Sequence, residues 1–394
     1  MKNNLFVFGA GFSKDVADLP LADELITEIY SLYKNKPISK KFKDKYTSFK
    51  KVMDFLKNQI KDQLNIIEGR TKTEVQSFEN RPINIEYILT LIELNILKPY
   101  SPQGEDGDLQ HCFIPFMQEL QISDLENAKD FIIHYLAEMF LPQNVKCKKK
   151  YLLKSLELVR ENDSIITYNY DLLAEQGLWM KKLWNPVDGY GFGKISEFET
   201  ILNENLPKTM IEFIKLHGSV NWKYSNYNSD VRILVADAET NNPYFENLQV
   251  KINNLYRMQR KWYLYKPAII TPTFIKLFNK SIEIDLVKRA VNAVKNASEI
   301  YFIGYSLPKA DTVSNFIFSF INKGSKIYII NPNAMEIKKR IARVFNLKND
   351  NIIDENIEIK EWVKNDFEFK NFKFREKESA RLIKALKYIN EEKI

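Results

Sequence analysis

The chain has 394 residues, 45% of them hydrophobic, and its 58 basic and 51 acidic residues leave a formal net charge of +7. That length suits one large α/β domain carrying an insertion, or two domains, and the apolar content is enough for a substantial core. Two cysteines, Cys112 and Cys147, exclude a disulfide framework and a four-cysteine zinc site, no segment has the uninterrupted apolar length of a membrane span, and the charge excess is too mild to argue for a polyanionic partner. A soluble, cytoplasmic protein with no membrane contact is expected.

The first element is Leu5-Phe6-Val7-Phe8, an apolar run closed by Gly9, which reads as a strand buried on both faces of a parallel sheet. Gly9-Ala10-Gly11-Phe12-Ser13 forms a glycine turn, and the chain becomes helical through Leu21 to Ile26. A strand, a glycine turn and a helix N-terminus present backbone N–H groups and a positive dipole end to an anion such as a phosphate or pyrophosphate. The dehydrogenase-type fingerprint asks for a third glycine, where Lys14 stands, and for a carboxylate after the second strand, which has no clear candidate. A standard dinucleotide fold is therefore not expected.

Residues 31–150 read as a helical insertion. Lysines between Lys34 and Asp62 alternate with Phe42, Tyr46, Phe49, Val52 and Phe55, as in an amphipathic helix with a solvated basic face or in a nucleic-acid surface. Helical spacing recurs from Ile83 to Leu97, with a stop near Lys98 imposed by Pro99, and Ser101 to Asp108 forms an exposed loop. A third helix runs from Ser123 to Met139, and Ser123 with Glu126 has the spacing of a capping box. The insertion is expected to cover the site and make subunit contacts.

Strands return at Ser164–Thr167, Phe213–Leu216, Ala268–Ile270, Ile300–Ile303 and Ile327–Ile330. With the first strand this predicts a Rossmann-like α/β fold: a parallel sheet of about six strands, formed by residues 1–30 and 151–335, followed by a helical extension over 336–394. Each strand delivers polar or small residues at its C-terminal end, where open parallel sheets bind ligands. Gly9, Gly11, Asn169, Asp171, His217, Gly304, Ser306 and Asn331 are thereby expected to converge on one crevice. Of the three histidines, His134 lies in an apolar helix and His111 has no nameable partner, whereas His217 closes a strand and is the candidate proton acceptor. Asn169 is placed to hold a water or a sugar hydroxyl, and Asp171 to cap the next helix or touch the ligand. No Ser-His-Asp elbow, Gly-Lys-Ser loop, His-Glu-x-x-His pair or His/Cys cluster occurs.

The ordered set Gly9-Ala10-Gly11-Phe12-Ser13 with Pro20, Tyr168-Asn169-Tyr170-Asp171, His217-Gly218, Gly304-Tyr305-Ser306 and Ile330-Asn331 resembles the sirtuin-like superfamily. Two cysteines cannot build the zinc ribbon of protein-deacylating sirtuins, so no metal is expected, and Leu19-Pro20-Leu21-Ala22-Asp23 stands where those enzymes carry Pro-Asp-Phe-Arg. The chain is more similar to the bacterial anti-phage branch, whose members cleave NAD to nicotinamide and ADP-ribose. That resemblance implies NAD as substrate, catalytic roles for Asn169 and His217, and pyrophosphate contacts from Gly9, Ala10, Gly11, Phe12 and Ser13. It also implies cofactor contacts from Asp171 and Gly304, and adenosine contacts from Ser306 and Asn331. A homo-oligomer is expected, with a HerA-like ATPase or another defence protein as a further partner and nucleic acid as an additional one. The alternatives are a module that senses NAD or ADP-ribose without cleaving it, and an NAD-dependent deacylase.

Overall fold

The computed structural model describes residues 3–29, 43–59, 85–96, 120–192, 194–195, 199–201, 205–224, 231–237, 242–252, 266–270, 281–308 and 311–367. The central sheet has six strands: β1 (Asn3–Phe8), β2 (Ser164–Thr167), β5 (Glu212–Lys215), β10 (Ala297–Ile303), β11 (Lys326–Ile330) and β12 (Ile352–Glu355). All pairings are parallel, and the spatial order is β12-β11-β10-β1-β2-β5. Counted along the chain this is the order 3-2-1-4-5-6 of doubly wound dinucleotide-binding sheets. The Rossmann-like sheet expected from the strands is present, and its strand order is the standard one although the first turn lacks the third glycine.

β1 lies at the centre because its side chains are apolar on both faces, with Leu5, Val7 and Phe8 fully buried and Phe6 nearly so. Phe6 stacks on Tyr301 of β10 at 4.9 Å, and Tyr301 on Tyr328 of β11 at 4.6 Å, so one face carries an aromatic ladder across the strands. The strand order reverses between β1 and β10. Both glycine turns, Gly9–Gly11 and Gly304, leave the sheet at that point.

Six parallel strands were expected, and six are present, but the membership differs by one. Ala268–Ile270 belongs instead to β9 (Lys266–Ile269), in a second sheet ordered β3-β7-β6-β9 with β3 (Lys194–Ile195), β6 (Gly218–Tyr224) and β7 (Val231–Ile233). Its pairing with β6 is antiparallel, which a strand in the main sheet would not show. The sixth parallel strand is β12, inside the stretch read as a helical extension. Two helices flank it, Ala334–Phe345 and Ile359–Lys364, and residues 368–394 lie outside the described residues. A small antiparallel pair, β4 (Glu199–Ile201) and β8 (Val250–Ile252), completes the strands described.

In chain order the helices that bear on the site are α1 (Ala10–Ala17), α2 (Lys43–Gln59), α3 (Ile85–Ile96), α4 (Ile122–Met139), α5 (Lys149–Ser155), α6 (Leu173–Met180), α7 (Ser281–Asn296), α8 (Thr312–Phe318), α9 (Ala334–Phe345) and α10 (Ile359–Lys364). Within the insertion, α2 lies along α4, with Phe49 packed on Phe131 at 5.1 Å. Lys45 pairs with Asp130 at 3.1 Å and Lys51 with Asp124 at 3.3 Å, so part of the lysine-rich face holds the two helices together. The capping box at Ser123 does not form. α4 begins at Ile122 behind Gln121, and the Ser123 hydroxyl lies 3.4 Å from the Gln121 side chain rather than on a backbone amide. His134 is half-buried on α4, its Nδ1 2.7 Å from the Asp130 carbonyl, and burial lowers its pKa. The loop Ser101–Asp108, the stop near Lys98, His111 and Cys112 fall outside the described residues.

Candidate active site

The C-terminal ends of β1, β2, β5, β10 and β11 open onto one cavity of about 540 Å³, a size suited to a small molecule or cofactor. Gly9, Ala10, Gly11 and Ser13 line it from the first turn, Asn169 and Asp171 from the turn after β2, and His217 from the end of β5. Gly304 and Ser306 follow β10, and Asn331 follows β11. Phe12 is the exception. Its ring is 1% exposed and packs on Phe8 at 4.5 Å in the core, because the side chain at that helical position points away from the sheet edge.

The glycines have a reason that the sequence did not reveal. A Cβ on Gly9 would lie 2.5 Å from the Tyr305 Cα, one on Gly11 would lie 2.9 Å from Gly304, and one on Gly304 would lie 2.4 Å from the Phe12 nitrogen. What approaches these positions is the backbone of the neighbouring turn. Gly304 also has φ +62°, a left-handed conformation that glycine adopts without steric cost. Two amides expected to face an anion are used within this junction: Gly11 N–H donates to the Gly304 carbonyl at 3.0 Å and Phe12 N–H to the Gly9 carbonyl at 2.9 Å.

Asn169 is fixed in a determined orientation. Its Nδ2 donates to the Gly9 carbonyl at 2.9 Å and to Ser13 Oγ at 2.8 Å. A carbonyl can only accept, so the amide nitrogen must face Gly9. Both amide protons are thus spent inside the protein, and Oδ1, which has no partner among the described residues, is the polar atom left for a ligand. Ser13 Oγ in turn donates to Asp171 Oδ2 at 2.6 Å, while Asp171 Oδ1 accepts from Leu173 N–H at 3.0 Å at the start of α6. Asp171 therefore closes the turn that leads into the helix, whose N-cap is Leu172, and anchors Ser13.

His217 is 6% exposed and sits where the chain passes from β5 into β6. Gly218, at φ +74°, makes that passage possible, since a Cβ there would lie 2.1 Å from the Ala268 carbonyl. The imidazole meets the edge of Tyr168 at 5.1 Å and lies over Tyr170 at 6.0 Å. Tyr168 stacks on Tyr305 at 4.3 Å, and its hydroxyl is 2.6 Å from Ser314 Oγ, to which it donates because the single Ser314 proton goes to the Asp311 carboxylate. This aromatic wall was missed in the sequence. Its signal is the pair of tyrosines alternating with Asn169 and Asp171, whose side chains share the crevice although strand periodicity has ended.

Other wall residues lie outside the motifs singled out in the sequence, among them two from the insertion expected to cover the site. Lys14, in the place of the third glycine, holds both carboxylate oxygens of Glu24, at 2.5 and 2.7 Å, and so fixes the loop after α1. Burial opposes the Glu24 charge, but the Lys14 ammonium and the Leu21 N–H together hold its carboxyl below the usual range. Ile85 and Glu86 from α3 line the cavity, as do Glu358 and Ile359 at the start of α10. Asp15, also on the wall, accepts from Ile359 N–H at 2.7 Å, and burial raises its pKa. Asn331 Oδ1 accepts from Asn333 N–H at 2.9 Å in the turn that begins α9. No group of three or more metal-ligating side chains occurs among the described residues. No helix there is long and apolar enough to cross a membrane.

No protein-family profile matches the chain, and no curated protein sequence matches it. Among solved structures it is similar to a mutant Sir2 homologue in complex with ADP-ribose, at 13% identity over 62% of this chain and 75% of that one, with a TM-score of 0.33. It is also similar to Sir2 in complex with 2′-O-acetyl-ADP-ribose and a deacetylated peptide, at 15% identity over 62% of this chain and 81% of that one, with a TM-score of 0.32. At these values the assignment of a Rossmann-like fold stands on the strand order and on the crevice at its reversal.

Proposed function

We propose that this protein is an NAD glycohydrolase that converts NAD and water to nicotinamide, ADP-ribose and a proton. The observation that carries the reading is the presence, on one cavity wall, of Asn169, whose amide protons are both held by the protein and leave Oδ1 for a ligand, and of the buried imidazole of His217. The N-glycosidic bond of NAD already has a cationic leaving group. Its cleavage returns the bonding pair to the nicotinamide ring nitrogen and leaves an oxocarbenium-like ribose, so the site needs alignment and exclusion of bulk water more than a strong nucleophile. Asn169 Oδ1 accepts a hydrogen bond from the attacking water or a ribose hydroxyl, and His217 takes the proton released as the new C–O bond forms. The pyrophosphate lies over the first turn at the N-terminal end of α1, and the adenosine half lies towards Ser306 and Asn331.

Unrestrained NAD loss would kill the host cell, which suits an anti-phage effector held silent until an oligomer or a partner such as a HerA-like ATPase activates it. The sequence resemblance supports that role. The test is nicotinamide release from NAD by the purified protein beside Asn169→Ala and His217→Ala. Turnover in the activated wild type with a loss of about 10²–10⁴-fold in His217→Ala is expected, the range a general base contributes. Tight ADP-ribose binding without turnover under any activating condition would replace the reading with that of a nucleotide sensor.

A further inference from the structure

Directly behind the turn that carries Asn169 and Asp171 lies an ion pair with no access to solvent. Lys215 Nζ and Glu175 Oε1 are 2.7 Å apart, with side-chain exposures of 0% and 1%. Glu175 Oε1 also accepts from the Tyr190 hydroxyl at 2.9 Å, its Oε2 is sealed with no partner, and burial raises its pKa against the attraction of Lys215. Such a pair is a poor source of stability, because desolvating two ions offsets their attraction and apolar replacements of similar volume are commonly neutral or better. Its presence is better explained by what else Lys215 holds.

Lys215 Nζ donates to the backbone carbonyl of Asp171 at 2.6 Å. Asp171 is thereby pinned at three points, its carbonyl by Lys215, Oδ1 by Leu173 N–H and Oδ2 by Ser13. The chain of bonds continues from Ser13 to Asn169 and ends on the Gly9 carbonyl. Lys215 is also the last residue of β5, two positions before His217. One buried ammonium thus ties the strand that delivers His217 to the turn that delivers Asn169.

We propose that Lys215 is a positioning residue that sets Asn169 against His217, with Glu175 present to make its charge tolerable in the interior. The catalytic consequence rests on the glycohydrolase reading above, whereas the structural consequence does not. The test is the double variant Lys215→Met/Glu175→Leu, followed by thermal melting, hydrogen exchange of the Asn169 side-chain amide by NMR, and nicotinamide release. The amide signals are identified by their loss in Asn169→Asp.

The expected result is a melting temperature equal to or above that of the wild type, a slowly exchanging Asn169 amide that becomes fast in the variant, and a kcat lower by about 10²-fold with KM nearly unchanged. Slow amide exchange in a folded variant would overturn the proposal whatever the activity. Fast exchange with wild-type kcat would overturn the catalytic role of the positioning. A wild type without turnover under any activating condition would remove the glycohydrolase reading alone, since the exchange measurement still decides whether Lys215 holds Asn169. If the apolar pair does not fold, Lys215→Gln/Glu175→Gln, whose shorter side chain at 215 cannot reach the Asp171 carbonyl, carries the same two readouts.

Discussion

Ser13 is the residue on which the site's hydrogen bonds turn, since its single oxygen accepts from Asn169 and donates to Asp171. It is 3% exposed, so removing the hydroxyl leaves both partners without a replacement from bulk water. Ser13→Ala is expected to destabilise the fold by about 1–3 kcal/mol, the cost of stranding a buried polar group. A urea titration should show a lower midpoint with an unchanged slope, because the surface exposed on unfolding stays the same. The same change frees the Asn169 side chain, so nicotinamide release should fall further than the lost stability accounts for at temperatures where the variant is fully folded. Asn169→Asp is a sharper test. The carboxylate has the shape of the amide but no N–H, so it confronts the Gly9 carbonyl with a second acceptor and should lose turnover at least as completely as Asn169→Ala.

Among the elements, the critical joint is the meeting of the first turn with the turn after β10, where Gly9 N–H bonds to Ile303 at 3.1 Å and Gly11 N–H to Gly304 at 3.0 Å. Gly304→Ala combines a left-handed φ with a Cβ 2.4 Å from backbone, and no flexible side chain is there to yield. It is expected to cost at least about 2 kcal/mol, the range for a side chain forced into that region. A variant melting within a degree of the wild type would show that the two turns can separate. This joint also marks what the sequence could convey. The strands at Leu5–Phe8, Ile300–Ile303 and Ile327–Ile330 were legible because an apolar run of four residues closed by glycine or asparagine admits few other readings, and the convergence of Asn169, His217 and Asn331 follows once the strands that deliver them are parallel. The purpose of Gly9 and Gly11 was not legible, since a close approach of backbone to ligand and of backbone to backbone require the same residue. β12 was hidden because Ile352–Glu355 has only two leading apolar residues before an acidic end, as befits an edge strand. β9 was misassigned because partner choice between two sheets is a tertiary fact.

At the scale of the whole molecule, the cavity closes only when distant parts of the chain meet: the first turn, the start of α3 from the insertion, and the start of α10 beyond the last strand. Its aromatic walls tie that closure to pH in a direction that can be worked out. Tyr168, Tyr170 and Tyr305 around the cavity, and Tyr190 behind it, have phenols whose pKa is raised by burial first of all, with nearby acidic or phenolic groups adding to the effect. In the unfolded chain these phenols ionise near pH 10. Above that pH the folded protein therefore holds more protons than the unfolded one, and stability falls as pH rises; below it these groups contribute no slope. Each phenol adds about 1.4 kcal/mol per pH unit to the decline, so several acting together make alkaline unfolding steep. Absorbance at 295 nm, which follows phenolate, should show these tyrosines ionising in one cooperative step that coincides with loss of the near-ultraviolet circular dichroism of the packed rings. Replacing Tyr305 with Phe should reduce the steepness by about one proton. Gradual ionisation of all the tyrosines around pH 10 in a protein that stays folded would mean that the walls of the cavity open to water without the rest of the molecule.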